Sequence, residues 1–170
     1  YYFYEDITVD SFNYDTLAGG VQNGYAEQKQ ENTAWALFVS GEYDVSDNFV
    51  LRGGLRYTDD EKEFEAQRFV SPFGAPPTGI LRADPDDSDV SGDISGVWTV
   101  DDDLNFYARV ARGFRAPSVQ GRLLFGDSIS VAESETVLSF EAGVKADLFE
   151  DRTRVGFNLF NYRVNDQQLT

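Results

Sequence analysis

Histidine and cysteine are both absent from the 170 residues. That removes the commonest general base, the Ser–His and Cys–His nucleophile pairs, and the softer metal ligands. Carboxylates, arginines, lysines and hydroxyls are left to carry any chemistry. Two carboxylates can run glycoside hydrolysis as acid and base, and Glu61, Glu63 and Glu65 stand at alternate positions. Alternate residues of a strand share one face, so this spacing reads as a solvated acidic face and sets no pair across a cleft. Asp84, Asp86 and Ser88 occupy places one, three and five of a calcium-loop pattern, but Asp89 replaces its glycine and Ser95 its bidentate glutamate. The EF-hand is thereby excluded, while weak calcium binding by an exposed acidic loop stays open. No glycine cluster is followed by lysine and a helix, so no phosphate cradle is expected. Neither an enzyme nor a cofactor is expected.

The cations fall into two sets. Arg112, Arg115 and Arg122 flank one long connection, where they could collect an anionic ligand by forked hydrogen bonds. A solvated loop is the competing reading. Arg52, Arg56, Asp93, Arg109, Glu141 and Lys145 alternate onto the polar face of successive strands. There they could meet a ligand or another part of the protein, or pair with one another along the wall. Charges in this pattern do not suit a dry core, where unpaired ions are costly. The net charge of −16, from 30 acidic and 14 basic residues, excludes nucleic acid as a partner.

The elements that position these residues are strands. Trp35, Leu37, Val39, Gly41 and Tyr43 share one face against Ala34, Ala36, Phe38, Ser40 and Glu42. The same two-residue alternation runs through 49–58, 93–100, 104–111, 138–147 and 154–160. With an opening strand over 1–9, about seven strands are expected, near the ~9–11 residues that cross a bilayer at a tilt. Aromatics make up 15% of the chain and favour strands. Tyr43, Phe49 and Trp98 sit near the short turns and Tyr57 at the other end, as interface girdles would. No apolar run approaches the ~20 residues of a spanning helix.

The connections alternate. Short ones are expected at 44–48, 101–103 and 149–151, and long ones at 10–32, 59–89 and 114–135. Short turns on one side and long loops on the other mark an outer-membrane barrel. The fold class expected is all-β: an antiparallel up-and-down meander forming part of a transmembrane β-barrel, with short periplasmic turns and long extracellular loops. Tyr1-Tyr2-Phe3-Tyr4 reads as the middle of a strand, and both ends read as cut. Two alternatives are a soluble acidic β-sandwich binding glycan or calcium, and a complete small barrel.

Three stretches resemble the C-terminal barrel of TonB-dependent outer-membrane receptors. Residues 34–58 resemble that family's hairpin ending in Gly-x-Arg-Tyr-Thr, here Gly54-Leu55-Arg56-Tyr57-Thr58. Residues 107–117 are similar to its Gly-Phe-Arg-Ala-Pro strand end, here Gly113 to Pro117. Residues 133–167 resemble its Glu-x-Gly-x-Lys hairpin that closes on Asp166-Gln167. The resemblance covers 34–170. It implies an outer-membrane location and TonB-coupled import of a ferric siderophore, haem, cobalamin or glycan. It also implies partners: outer-membrane lipid, a plug domain, the rest of a ~22-stranded barrel, the TonB complex and a small-molecule cargo. The plug, the coupling box and most strands fall outside these residues, so the whole chain is expected to be wall and loops. The polar-face residues would then line the lumen.

Overall fold

The computed structural model describes residues 1–17, 19–149 and 152–168. It contains β1 (Tyr2–Asp15), β2 (Val21–Ser46), β3 (Phe49–Val70), β4 (Leu81–Ala83), β5 (Asp86–Asp101), β6 (Leu104–Arg115), β7 (Ser118–Gln120), β8 (Ser130–Ala132), β9 (Glu135–Leu148) and β10 (Thr153–Asn165). Seven strands follow one another across a single sheet in the order β1-β2-β3-β5-β6-β9-β10, with β4 added beside β3. Each neighbouring pair is antiparallel, which is the expected meander. Among the described residues the other sheet is the small β7–β8 hairpin. No second large sheet lies face to face with the first, so the sandwich alternative is overturned.

The register keeps the two faces apart over the lower half. Val39 lies opposite Leu55, Ile94 opposite Val110 and Val110 opposite Phe140. On the other face a single row runs Arg52, Ser95, Arg109, Glu141, Phe160. The greasy face is bare: Leu37, Leu55 and Leu159 are 68%, 61% and 65% exposed. Apolar surface of that extent is not tolerated in water, and a lipid interior is the solvent that suits it. We refer to this lower half, near residues 34–44, 49–58, 90–100, 104–112, 137–146 and 155–162, as the belt. Its close packing is built partly on glycine. A Cβ on Gly143 would come within 2.6 Å of the Tyr107 ring and 2.8 Å of the Phe157 carbonyl.

The upper half departs from expectation. Segments 10–32 and 59–89 are largely strand, because β1 runs to Asp15, β2 starts at Val21 and β3 continues to Val70. Thr16, Leu17, Gly19 and Gly20 lie in the turn between β1 and β2, with Gly19 and Gly20 at φ 77 and 79, a region open to glycine. Above the belt the face that was greasy turns polar, with Glu27, Lys29 and Glu31 opposite Gln67, Glu65 and Glu63, so greasy alternation stops while the hydrogen-bond ladder goes on. Phe12, Tyr25 and Phe69 stack across β1, β2 and β3 at centroid spacings of 5.1 and 5.0 Å and tie the top of this extension together. The expected connection 114–135 holds the β7–β8 hairpin. Of the turn expected at 149–151, Glu150 and Asp151 lie outside the described residues, as do Leu169 and Thr170 beyond β10.

Buried side chains collect in the upper half. Ala26, Phe64 and Ala66 of β2 and β3 pack with Leu123 and Leu124, which arrive from the segment between β7 and β8.

Candidate functional site

The polar-face candidates share one face and are drawn into lateral contacts. Arg52 pairs with Glu42 on the neighbouring strand. Arg109 donates to Asp93 at 3.1 Å. The Tyr107 hydroxyl donates to Glu141 at 2.8 Å, and the Lys145 ammonium lies 5.6 Å from the centre of the same ring. Arg56 donates to the Thr58 hydroxyl at 3.0 Å and sits 5.3 Å from the Tyr1 ring. Ion pairs across neighbouring strands account for Arg52, Asp93 and Arg109, so this part of the wall neutralises itself.

The loop candidates are not brought together. Arg112 is fully engaged, whereas Arg115 and Arg122 are exposed and form no ion pair among the described residues. The reason lies in how the sheet splits. The β5–β6 ladder stops at Gly92 opposite Arg112. Above that point β5 stays with β3 up to Asp86, and β6 stays with β9 up to Arg115. Arg112 bridges the resulting fork, donating to both oxygens of Asp89 at 2.7 and 2.6 Å and to the Val90 carbonyl. Two parallel bonds from one guanidinium give both strength and direction. The Arg112 guanidinium holds the Asp89 carboxyl, just beyond the belt, below the usual carboxylate range. The Ser134 hydroxyl donates to Asp87 across the same gap.

An open cavity of about 610 Å³ lies on the polar face at the fork, lined by Arg56, Asp60, Asp93, Arg109, Arg112 and Ser139 among others. It mixes cations, anions and hydroxyls, which suits a polar ligand with several hydrogen-bonding groups. The acidic segment 84–93 forms no calcium loop, since most of it is strand β5. Among the described residues no cluster of three or more acidic or other ligating side chains could hold a metal ion.

Two residues outside the sequence candidates organise the mouth. Arg68, 2% exposed, donates to the carbonyls of Leu123 at 3.1 Å, Gly126 at 2.7 Å and Pro76 at 2.9 Å, and pairs with Asp127 at 2.6 Å. A buried guanidinium is tolerated only when partnered in this way. Gln168 donates to the carbonyls of Ala116 at 2.9 Å and Glu133 at 2.8 Å, accepts from the Ser118 hydroxyl at 3.1 Å, and its backbone donates to Glu135 at 2.9 Å. Asp166, at φ 53, turns the chain back so that Gln168 can reach them. The Asp166-Gln167 motif was the one sequence signal near this tie. Nothing local marks Arg68, whose carbonyl partners between β7 and β8 are 55 and 58 residues away.

Comparison with known proteins places this wall. The chain is similar in structure to the ferric yersiniabactin uptake receptor FyuA from Yersinia pestis, with 18% identity and a TM-score of 0.80 over 98% of this chain and 25% of that one. It is also similar to the closed form of the ferric-catecholate import receptor Fiu from E. coli K12, with 14% identity and a TM-score of 0.64 over 96% of this chain and 27% of that one. The chain thus spans about a quarter of each receptor's length. The family model described as TonB dependent receptor-like, beta-barrel matches residues 1–170, so the chain belongs to the TonB-dependent receptor β-barrel family of the bacterial outer membrane.

Proposed function

We propose that this chain is a stretch of wall and mouth in a receptor that imports a scarce nutrient through the outer membrane by TonB coupling, and that the cargo is a ferric siderophore. The observation that carries the reading is the two-faced wall. A bare apolar belt faces lipid, and on the opposite face a self-neutralised polar surface opens, at the fork, into a cavity of about 610 Å³. The family and the two ferric-chelate receptors of the same fold support the cargo class. The polar face then lines the lumen, where a plug domain and the rest of the barrel complete the enclosure. The chain's part is passage and contact, with no catalytic step.

The test uses the whole gene. Deleting it in the source bacterium should abolish uptake of one radiolabelled ferric siderophore from a panel, and the intact gene should restore it. Unchanged uptake across siderophores, together with lost uptake of haem, cobalamin or a glycan, would overturn the cargo. A protein recovered in the soluble fraction would overturn the receptor reading altogether.

A further inference from the structure

The segment 116–134 is built as a separate body. Its β7–β8 hairpin pairs only with itself, through Val119 opposite Val131, and shares no ladder with the large sheet. It leaves β6 at Ala116 and Pro117 and rejoins β9 after Glu133 and Ser134. Between those points it crosses the fork to β2 and β3, where Leu123 and Leu124 seat on Ala26, Phe64 and Ala66. The fit is close: a Cβ on Gly121 would come within 2.6 Å of the Phe64 ring, and one on Gly24 within 2.9 Å of Leu124. Phe64 stands two places above Asp60 on the same face of β3, counting alternate residues. Asp60 lines the cavity at the fork. The segment therefore bridges the fork on the cavity's upper side.

The two attachments differ. At the base, Gln168 ties Ala116, Ser118 and Glu133 with neutral hydrogen bonds next to the covalent connections, and the Ser134 hydroxyl donates to Asp87. At the far end the polar hold on the tip comes from Arg68, which grips two of its carbonyls and Asp127, whose side chain is 77% exposed. Apolar contact adds to the hold: Leu123 and Leu124 seat on Ala26, Phe64 and Ala66, with Leu81, Val119 and Ile129 packed around them, and Phe125 lies 6.0 Å from the Phe73 ring. Arg68 also holds Pro76, and its backbone exchanges bonds with Thr78 at 2.9 and 3.0 Å, so the grip spans both mouth loops.

We propose that residues 116–134 form a hinged flap, tethered at its base by Gln168 and latched at its tip by Arg68, and that the latch sets how often the mouth on that side opens. The latch is a property of the wall and does not depend on which cargo the receptor takes. Arg68 acts by position, through the flap.

Cysteine labelling in the full-length receptor in outer membranes tests this, with any cysteine elsewhere replaced. Ala26→Cys places a thiol on the wall beneath the flap tip, at a position with 0% exposure. Phe125→Cys, at 61% exposure, reports labelling of an open site. In the otherwise unchanged receptor a water-soluble maleimide should label Phe125→Cys promptly and Ala26→Cys slowly. Arg68→Lys, which loses the forked contacts, should speed labelling of Ala26→Cys by about tenfold or more, the effect of a charge-assisted hydrogen bond lost in a dry site. Asp127→Asn, on an exposed carboxylate, should speed it by about twofold to threefold. It also keeps the test sound if Arg68→Lys fails to assemble. Slow labelling of Ala26→Cys that neither substitution alters would overturn the latch, as would labelling as fast as that of Phe125→Cys before any latch substitution.

Discussion

The lower and upper halves of the sheet share the same long strands and are held by different forces. In the belt, side chains such as Leu37 and Leu159 point into the surroundings. Cohesion there comes from an unbroken ladder and from ridges fitted over glycine. In the upper half one set of apolar side chains, Phe64 and Leu123 among them, turns inward onto a small cluster. The strands part at Gly92 and Arg112, and buried polar side chains take over where the ladder ends. One β-hairpin, β2–β3, passes through both regimes. A strand can therefore keep its geometry while its solvent changes from lipid to water, provided the partners of its side chains change with it.

Substitutions confined to one half should leave the other intact. Phe64→Ala removes the ring on which the flap tip rests, a core truncation that costs about 3–5 kcal/mol where the site cannot collapse. Hydrogen exchange of the full-length receptor should show faster exchange over 119–131 and unchanged exchange over 137–146. Loss of protection in the belt would break the comparison. Val39→Arg puts a cation at the middle of the lipid-facing side and should cost about 2–4 kcal/mol, read as a lower yield of folded receptor in lipid vesicles. Glu63→Arg, on the same hairpin above the belt, should change that yield little. Gly143→Ala should cost about 1–3 kcal/mol by overpacking against Tyr107 and the Phe157 carbonyl. Gly41→Ala, where a Cβ meets nothing within 4 Å, should be tolerated, and urea unfolding in detergent checks the pair.

The smallest effect is one of pH. Asp89 has its carboxyl held below the ordinary value of 3.8 by Arg112. A carboxylate whose folded pKa is depressed contributes stability that is present above its unfolded pKa and lost as pH falls through the folded one. Bridging of the fork should therefore weaken only below about pH 3.8, by about 1 kcal/mol or less, because the pair is partly exposed. Exchange of the amides at 86–90 should rise in acid, and Arg112→Gln should remove that rise.

The belt was legible because its physics is periodic. Alternation through Trp35 to Tyr43 and Phe49 to Tyr57 places each side chain on the face that the register confirms. The fold family was legible because Gly113 to Pro117 and Asp166-Gln167 mark strand ends. The upper half was not, for a physical reason. Once the greasy face turns polar, residues such as Gln28, Gln30, Glu61 and Glu63 carry no apolar period, and a continuing strand looks like a loop. Only Gly19-Gly20 betrayed the turn within 10–32. The site was half legible. The polar-face residues could be placed by counting in twos, whereas nothing in the spacing of Arg112, Arg115 and Arg122 told that the fork engages Arg112 and leaves the other two exposed. Arg68 makes its contacts with backbone carbonyls, and a carbonyl has no sequence signature.

The unequal strand lengths give the rim a profile. β2 and β3 run for 26 and 22 residues, against 12 and 13 for β6 and β10. With all of them rooted at short turns on the same side, and at roughly 3.3 Å per residue along the strand, the β2–β3 hairpin rises like a parapet on one side of the opening. Whatever approaches this stretch of wall from outside therefore meets the β2–β3 edge first, and the ends of β6 and β10 only further in.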